Sequence, residues 1–276
     1  MMKRRQFIHQ LAIGGGLLVQ ATHLRATTPV FQRPKSLILI QLRGGNDWYN
    51  TIVPYASDAY HGARPTIACT TSHVIPLDDR YGLHPALSSF AEWYGAGQLQ
   101  VTNQPLLKTG GIVHSHHEAQ MAWHRQLAEG LVEPMGTPGL EEAQPLCAAP
   151  FEKQVHDTLN AISLQKRSLS VYSLVLDGFD THAFQQVRHD SLLASLNGGV
   201  DQLCGELKAQ SRFEDALLII YSEMGRSLSE NNRKGTEHGG AGAMIAIGGT
   251  LENAGISDVP AEVATVIKHH MQLLMS

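Results

Sequence analysis

Four short apolar runs, each next to a cluster of charged or histidine residues, dominate the pattern of the chain. They are Ser36–Leu42, Ser170–Leu176, Ala216–Tyr221 and Ala243–Ile247. Runs of this length that are rich in Ile, Leu and Val indicate strands buried on both faces of a sheet. Because segments with helical periodicity alternate with these runs, the pattern predicts an α/β fold with a mostly parallel sheet that is covered on both faces.

The remaining segments predict a single domain over residues 36–276, preceded by a linker at residues 27–35. Helices are expected at about residues 86–95, 117–128, 151–167, 186–211 and 261–275, and further strands at 98–102 and 66–70, whereas residues 54–65 are expected to be irregular. Glu129–Pro150 carries four prolines and three glycines. This composition indicates a loop or a shortened insertion.

The first 26 residues have the features of an export signal. The paired arginines Arg4 and Arg5 are followed by Phe7 and by a weakly apolar stretch, Leu11–Val19, that contains three consecutive glycines. The pattern predicts a twin-arginine signal peptide over residues 1–26, with a Sec signal or a retained anchor as the alternative. The stretch is too short for a stable transmembrane helix. The protein is therefore expected to be periplasmic or otherwise exported, with the twin-arginine translocase as a partner.

Composition narrows the classes of function. The 276 residues carry a formal net charge of −4, which argues against a general nucleic-acid-binding protein because such a protein needs a basic patch. The three cysteines form no C-x-x-C pair, so a thiolate zinc site is not expected, and Cys204 is expected to pack in the core. Fifteen histidines suggest metal binding without deciding it.

Metal-binding side chains follow the first two apolar runs, and in open α/β sheets binding sites form at the carboxyl ends of strands. Asp180 and His182 follow the second run. Residues i and i+2 of an extended segment point to the same side, so this carboxylate and imidazole would face one point. The alternative is an N-cap aspartate with an exposed histidine. Asp47 follows the first run, beyond Gly44-Gly45, where the alternative is an Asx turn.

Three further candidates lie elsewhere in the chain. Glu223 ends a buried strand, where a carboxylate is costly unless it binds a metal or pairs with Arg226, which could equally hold an anionic substrate. His238 stands among small residues before the fourth run, as a ligand or in a polar turn. Ser115, with Glu118 three residues on, fits a helix-capping box. A serine at a helix N-terminus beside a metal can also be an activated nucleophile.

In sequence order, five motifs resemble those of the exported bacterial family called domain of unknown function 1501. They are Arg-Gly-Gly-Asn-Asp at Arg43–Asp47, Ser-His-x-x-Ala-Gln at Ser115–Gln120, Asp-Gly-aromatic-Asp-Thr-His at Asp177–His182, Ser-Glu-x-Gly-Arg at Ser222–Arg226 and Gly-Thr-acidic-His-Gly at Gly235–Gly239. The resemblance covers most of the chain after the signal. It implies an alkaline-phosphatase-like α/β/α sandwich, akin to sulfatases and metal-dependent phosphatases, that binds one or two divalent metal ions.

The resemblance also implies roles for individual residues. The implied metal ligands are Asp180, His182 and His238 for one site and Asp47 with Glu223 for a second; the implied catalytic residues are Ser115, Arg43 and Arg226. The ion would be zinc, manganese or calcium. The chain departs from the family pattern in three places: His117 replaces Phe, Glu237 replaces Asp, and the region after Gly130 lacks a Gly-Trp-Leu-Gly-Arg element.

The leading hypothesis is an exported metal-dependent hydrolase-like protein that acts on a phosphate or sulfate ester, with an anionic small molecule or polymer as substrate. Bound metal would polarise the ester and lower the pKa of Ser115 or of a bound water. The alternative is a non-catalytic binding or assembly protein of the cell envelope that retains the fold. The altered Ser115 motif and the shortened middle of the chain favour this alternative.

Overall fold

The computed structural model describes residues 35–102, 149–164, 170–239, 243–249, 251 and 254–257. In chain order the elements are β1 Ser36–Arg43, β2 Ile52–Val53, α1 Asp58–Ala63, β3 Ile75–Pro76, β4 Gly82–Leu83, α2 Ser88–Gly95, β5 Leu99–Thr102, α3 Phe151–Ser163, β6 Ser170–Asp177, α4 Gln185–Ala209, β7 Ala216–Tyr221, β8 Gly225–Glu230, β9 Thr236–Gly239, β10 Met244–Gly248 and β11 Gly255–Ser257. All four of the long apolar runs are therefore strands, as predicted.

A six-stranded sheet in the order β11-β5-β10-β7-β1-β6 forms the centre of the fold. Strand β1 pairs in parallel with both β6 and β7, and β11 pairs in parallel with β5. Within this sheet, β10 runs antiparallel to β7 and β5. The predicted α/β fold with a mostly parallel sheet is thus confirmed. Because Arg43 is paired with Asp177 and Gln41 with Tyr221, the carboxyl ends of β1, β6 and β7 meet at one edge.

Both faces of the central strands are buried, which explains their unbroken apolar sequences. On one face Ile38, Ile40 and Leu42 belong to a large core that includes apolar side chains of α2, α3 and α4. On the other face Leu37 and Leu39 pack with apolar side chains of β7 and β10. Burial of both faces is what an α/β/α arrangement requires.

Helices α2, α3 and α4 agree with predicted helices to within a few residues, and Cys204 of α4 is buried in the core as expected. Two local predictions are wrong. Residues 66–70 form turns rather than a strand, and the segment expected to be irregular contains α1, which begins after the N-cap Ser57. The short sheet β2-β4-β3 and the hairpin β8–β9 were not predicted.

Several predicted segments lie outside the described residues. They are the signal peptide and nearly all of the linker, the helices at 117–128 and 261–275, and nearly all of Glu129–Pro150. In the part of the chain that the structure describes, no helix combines the length and apolar character needed to span a bilayer.

Candidate metal-binding site

Three of the predicted ligands converge at the carboxyl edge of the sheet. Asp180 and His182 follow β6, and His238 lies in β9. Asp180 Oδ1 is 3.0 Å from His182 Nε2 and 3.3 Å from His238 Nε2, and the two imidazole nitrogens are 3.2 Å apart. Two ligands of one tetrahedral ion, with bonds of about 2.1 Å, stand roughly 3.4 Å apart. The spacings therefore fit a shared cation, and two imidazoles with a carboxylate suit zinc.

The ligand-bearing segments approach closely because glycines border them. A Cβ atom on Gly235 would lie 2.3 Å from the carbonyl carbon of His182, and one on Gly44 would lie 2.5 Å from the backbone nitrogen of Asp180. Gly44 also has φ +113°, a conformation that L-residues with side chains rarely adopt. The backbone N–H of Thr236 donates to the carbonyl of Thr181 over 3.2 Å, which joins the hairpin to the segment after β6.

Arg226 of β8 is the buried cation of the site. Its guanidinium donates to Asp180 Oδ1 over 2.6 Å. The other N–H groups donate to backbone carbonyls at 2.7–3.2 Å, namely those of Gly44, Gly45, Phe179 and Thr236. The side chain is fully buried. Arg226 thus connects the turn after β1, the segment after β6 and the hairpin, and its donors are directed at the protein rather than at a ligand.

Both ring nitrogens of His182 lie beside charged groups. Nε2 is 3.3 Å from Arg226 Nη1, a donor, and 3.0 Å from Asp180 Oδ1, an acceptor. Nδ1 is 3.0 Å from Glu237 Oε2, although the angle there is poor for a hydrogen bond. To bind an ion through Nε2, His182 must carry its proton on Nδ1, the nitrogen that faces Glu237. A carboxylate near the far nitrogen of a ligating histidine is a common feature of metal sites. Glu237, where the family pattern has Asp, takes that position.

The electrostatics of the acidic groups follow from the same contacts. Burial acts to raise the pKa of Asp180, but the hydrogen bonds from Arg226 and His238 outweigh it and lower the pKa. The hydrogen bond from Asn231 lowers the pKa of Glu237. Both groups are therefore ionised at neutral pH, as a metal ligand and its outer carboxylate must be.

Asp47 lies apart from this group of three. Its carboxylate is fully buried and receives Arg64 Nη1 on Oδ2 over 2.6 Å and Arg64 Nη2 on Oδ1 over 2.9 Å. The amide of Gln185 also donates to Oδ2. With these three N–H donors, Asp47 is bound within a buried polar network. Neither Arg64 nor Gln185 was singled out as a site residue from the sequence.

Glu223 is also separate from the three ligands. Its Oε1 accepts the backbone N–H of Gly44 over 2.6 Å, and its Oε2 lies 3.4 Å from Gln41 Nε2. Among the described residues it forms no ion pair with Arg226, the alternative offered by the sequence. Glu223 therefore anchors the turn after β1.

Of the two remaining predicted site residues, only Arg43 belongs to the part of the chain that the structure describes, and it does not join the group. Arg43 pairs with Asp177 at the surface, where both side chains are largely exposed. Ser115 lies outside the described residues. The described candidate site thus consists of Asp180, His182 and His238, with Arg226 and Glu237 in contact with them.

Comparison with known families identifies the chain. The family described as "Protein of unknown function (DUF1501)" matches residues 132–269, half of the 276 residues. The chain belongs to the DUF1501 family. The match includes the segments that carry Asp180, His182 and His238. A search of curated proteins finds no match.

Several solved structures are similar to this member of the DUF1501 family. A complex of Ps i-CgsB with k-i-k-neocarrahexaose is 12% identical, with a TM-score of 0.36 over 82% of this chain and 68% of that one. The zinc complex of the C-terminal periplasmic domain of EcEptC from Escherichia coli is 13% identical, with a TM-score of 0.33 over 79% and 74%. A TAB5 alkaline phosphatase mutant with bound Mg is 12% identical, with a TM-score of 0.35 over 88% and 98%. At these identities and TM-scores, the similarity gives no information about the function of this protein.

Proposed function

We propose that the protein is an exported metal-dependent hydrolase-like protein that acts on a phosphate or sulfate ester. The convergence of Asp180, His182 and His238 on one point carries the proposal. The ester class is supported by the motifs that resemble the phosphatase and sulfatase superfamily, and export is supported by the paired arginines Arg4 and Arg5 near the start of the chain.

Asp180 Oδ1, His182 Nε2 and His238 Nε2 would hold the ion. A divalent ion bound there would supply Lewis-acid polarisation of an ester oxygen and a lowered pKa for a hydroxyl or water beside it. His182 would bind through Nε2 with its proton on Nδ1, beside Glu237 Oε2. His238 Nε2 lies within hydrogen-bond distance of Asp180 Oδ1, so His238 must carry its proton on Nδ1 before it can act as a ligand. Ser115 is the proposed nucleophile on sequence grounds alone.

A second candidate is a non-catalytic protein of the cell envelope that uses a metal for structure. The arginines favour it. Arg226 directs its N–H groups to protein acceptors, and Arg43 pairs with Asp177. A hydrolase of anionic esters would be expected to keep a cation for the charge that develops in the transition state. The two candidates share the metal site and differ in turnover.

The decisive experiment measures metal and turnover in the same preparation. The full chain is exported, purified from the periplasm, analysed for metal by mass spectrometry, stripped with a chelator and titrated with Zn²⁺, Mn²⁺ or Ca²⁺ by calorimetry. We expect one or two ions per chain, and we expect Asp180→Ala and His238→Ala to abolish binding at the proposed site. His156→Ala is the control, because His156 is also an exposed histidine close to an aspartate, on α3.

Aryl phosphate and aryl sulfate esters are then screened with the loaded protein. Turnover that Asp180→Ala removes supports the hydrolase. Stoichiometric metal without turnover on any ester favours the non-catalytic candidate. A native protein that contains no metal and binds none of the three ions would overturn the site itself.

A further inference from the structure

Gln185, the first residue of α4, is fully buried beneath the candidate site. Its side-chain amide donates to Asp47 and accepts from two threonines, Thr181 Oγ1 over 3.1 Å and Thr236 Oγ1 over 2.6 Å. Thr181 stands between Asp180 and His182 in the chain, and Thr236 is two residues before His238. One amide therefore contacts both of the segments that carry the proposed ligands.

The network determines the orientation of this amide. The Asp47 carboxylate is paired with the guanidinium of Arg64 and can only accept hydrogen bonds, so the nitrogen of the Gln185 amide must face it. The amide oxygen then faces the two hydroxyl groups, each of which donates. Asp47, Arg64 and Thr236 are fully buried and Thr181 nearly so, so water does not reach them to replace a lost partner.

The backbone reinforces the same junction. The N–H groups of Phe184 and Gln185, at the start of α4, donate over 2.9 Å to the carbonyls of Arg233 and Lys234 in the loop between β8 and β9. The amide of Gln185 and the start of its helix thus both hold the hairpin against the segment after β6. The buried Asp47–Arg64 ion pair, to which Gln185 also donates, holds the amide in place.

We infer that Gln185 is a positioning residue for the metal site: its amide fixes the Asp180–His182 segment and the β9 segment relative to each other and to the Asp47–Arg64 pair. The inference rests on the proposed function, since it assumes that these segments carry the ligands. Removal of the amide would take one donor from Asp47 Oδ2, which keeps Arg64 Nη1. It would also take the acceptor from both hydroxyls, of which Thr181 Oγ1 keeps the Phe179 carbonyl at 3.3 Å, so the segments would relax to find other partners. The three ligand atoms would then no longer converge on one point.

The test compares two buried glutamines. Gln185→Met keeps a similar volume and removes the amide. Gln154→Met is the matched control, because Gln154 of α3 is 1% exposed and its amide bonds to the backbone of Ala149 and Val175, apart from the candidate site. Both full-length variants are titrated with Zn²⁺. Hydrogen exchange of residues 180–182 and 236–239 is measured by mass spectrometry without metal.

We expect Gln185→Met to raise the Kd for Zn²⁺ by roughly tenfold, at the low end of what outer-shell changes cause, and to accelerate exchange in both segments. Gln154→Met should do neither, even at an equal loss of thermal stability. Equal effects of the two variants, or wild-type values in Gln185→Met, would overturn the inference.

Two results would prevent a direct comparison: misfolding of Gln185→Met and a wild-type protein that binds no metal. If Gln185→Met does not fold, Thr181→Val removes one hydroxyl with little change of shape, and unchanged exchange at residues 180–182 would then count against the inference. If the wild-type protein binds none of Zn²⁺, Mn²⁺ and Ca²⁺, the proposed function fails. The exchange data still decide whether Gln185 holds the two segments together.

Discussion

Replacement of Arg226 by methionine tests whether the buried guanidinium holds the sheet-edge segments together. Arg226 is fully buried and donates to Asp180 and to carbonyls of three separate segments, including those of Gly44 and Thr236. Removal of one partner of a buried charge pair costs about 3–5 kcal/mol, because the groups left behind lose partners that water does not replace. Since the Asp180 side chain is 59% exposed and regains hydration, we expect a loss near the lower end, about 3 kcal/mol.

Arg43→Met is the matched control, because the family resemblance implied a catalytic role for both arginines. The side chains of Arg43 and Asp177 are 41% and 61% exposed, and exposed ion pairs contribute about 0–1 kcal/mol. Urea denaturation followed by circular dichroism gives the unfolding free energy of each variant, with the dependence on urea concentration as a check on two-state behaviour. If Arg226→Met loses no more stability than Arg43→Met, Arg226 is not the structural centre of the site.

Two other predictions concern α4. Ser211 (φ +55°) ends this helix in a Schellman arrangement in which the N–H groups of Ser211 and Arg212 reach the carbonyls of Lys208 and Leu207. Ser211→Gly should therefore raise the unfolding free energy by about 1 kcal/mol in urea denaturation, whereas Ser211→Ala should not, and equal gains would contradict the strain argument. Burial lowers the pKa of His189 to about 4 from 6.5, so the unfolded chain takes up this proton first as the pH falls. Stability should decline between about pH 6.5 and pH 4 by up to about 3 kcal/mol, and His189→Gln should flatten that decline; parallel stability curves would refute it.

The sheet and its ligand-bearing edge could be predicted because their signals are local. Strands buried on both faces must be apolar at every position, so β1, β6, β7 and β10 appear as unbroken runs in the sequence. In parallel strands the residues that follow such runs share one edge. By this rule Asp180 and His182 were expected at that edge, where the structure has them, and His238, also a predicted ligand, reaches them through a hairpin that the sequence pattern did not predict.

The partners of the polar residues could not be predicted because they depend on tertiary contacts. Helix α1 has only six residues, too few for a helical period to show, yet it precedes the arginine that pairs with Asp47. Because the sequence does not reveal that helix, Asp47 looks like a carboxylate that is available to bind a metal. Gln185 follows the Asp180–His182 motif closely, but a glutamine at a helix start is usually solvated, and no local signal indicates burial. Arg226 was ambiguous because several of its acceptors are backbone carbonyls distant in sequence.

The net charge of the candidate site makes binding of an anionic substrate depend on the metal ion. Among the described residues, the charged groups in contact with the ligand side chains are Asp180 itself, Glu237 and Arg226, which give a net charge of −1 with neutral histidines. The nearby Asp47–Arg64 pair cancels itself. Arg233, at 4.0 Å from Glu237, offsets the net negative charge, so without an ion the group offers no net positive charge to a phosphate or sulfate ester, whereas a divalent ion makes it attractive. Because Arg226 donates its N–H groups to protein acceptors, the ion would be the main positive charge available to an ester, so loss of the metal should remove substrate binding together with catalysis.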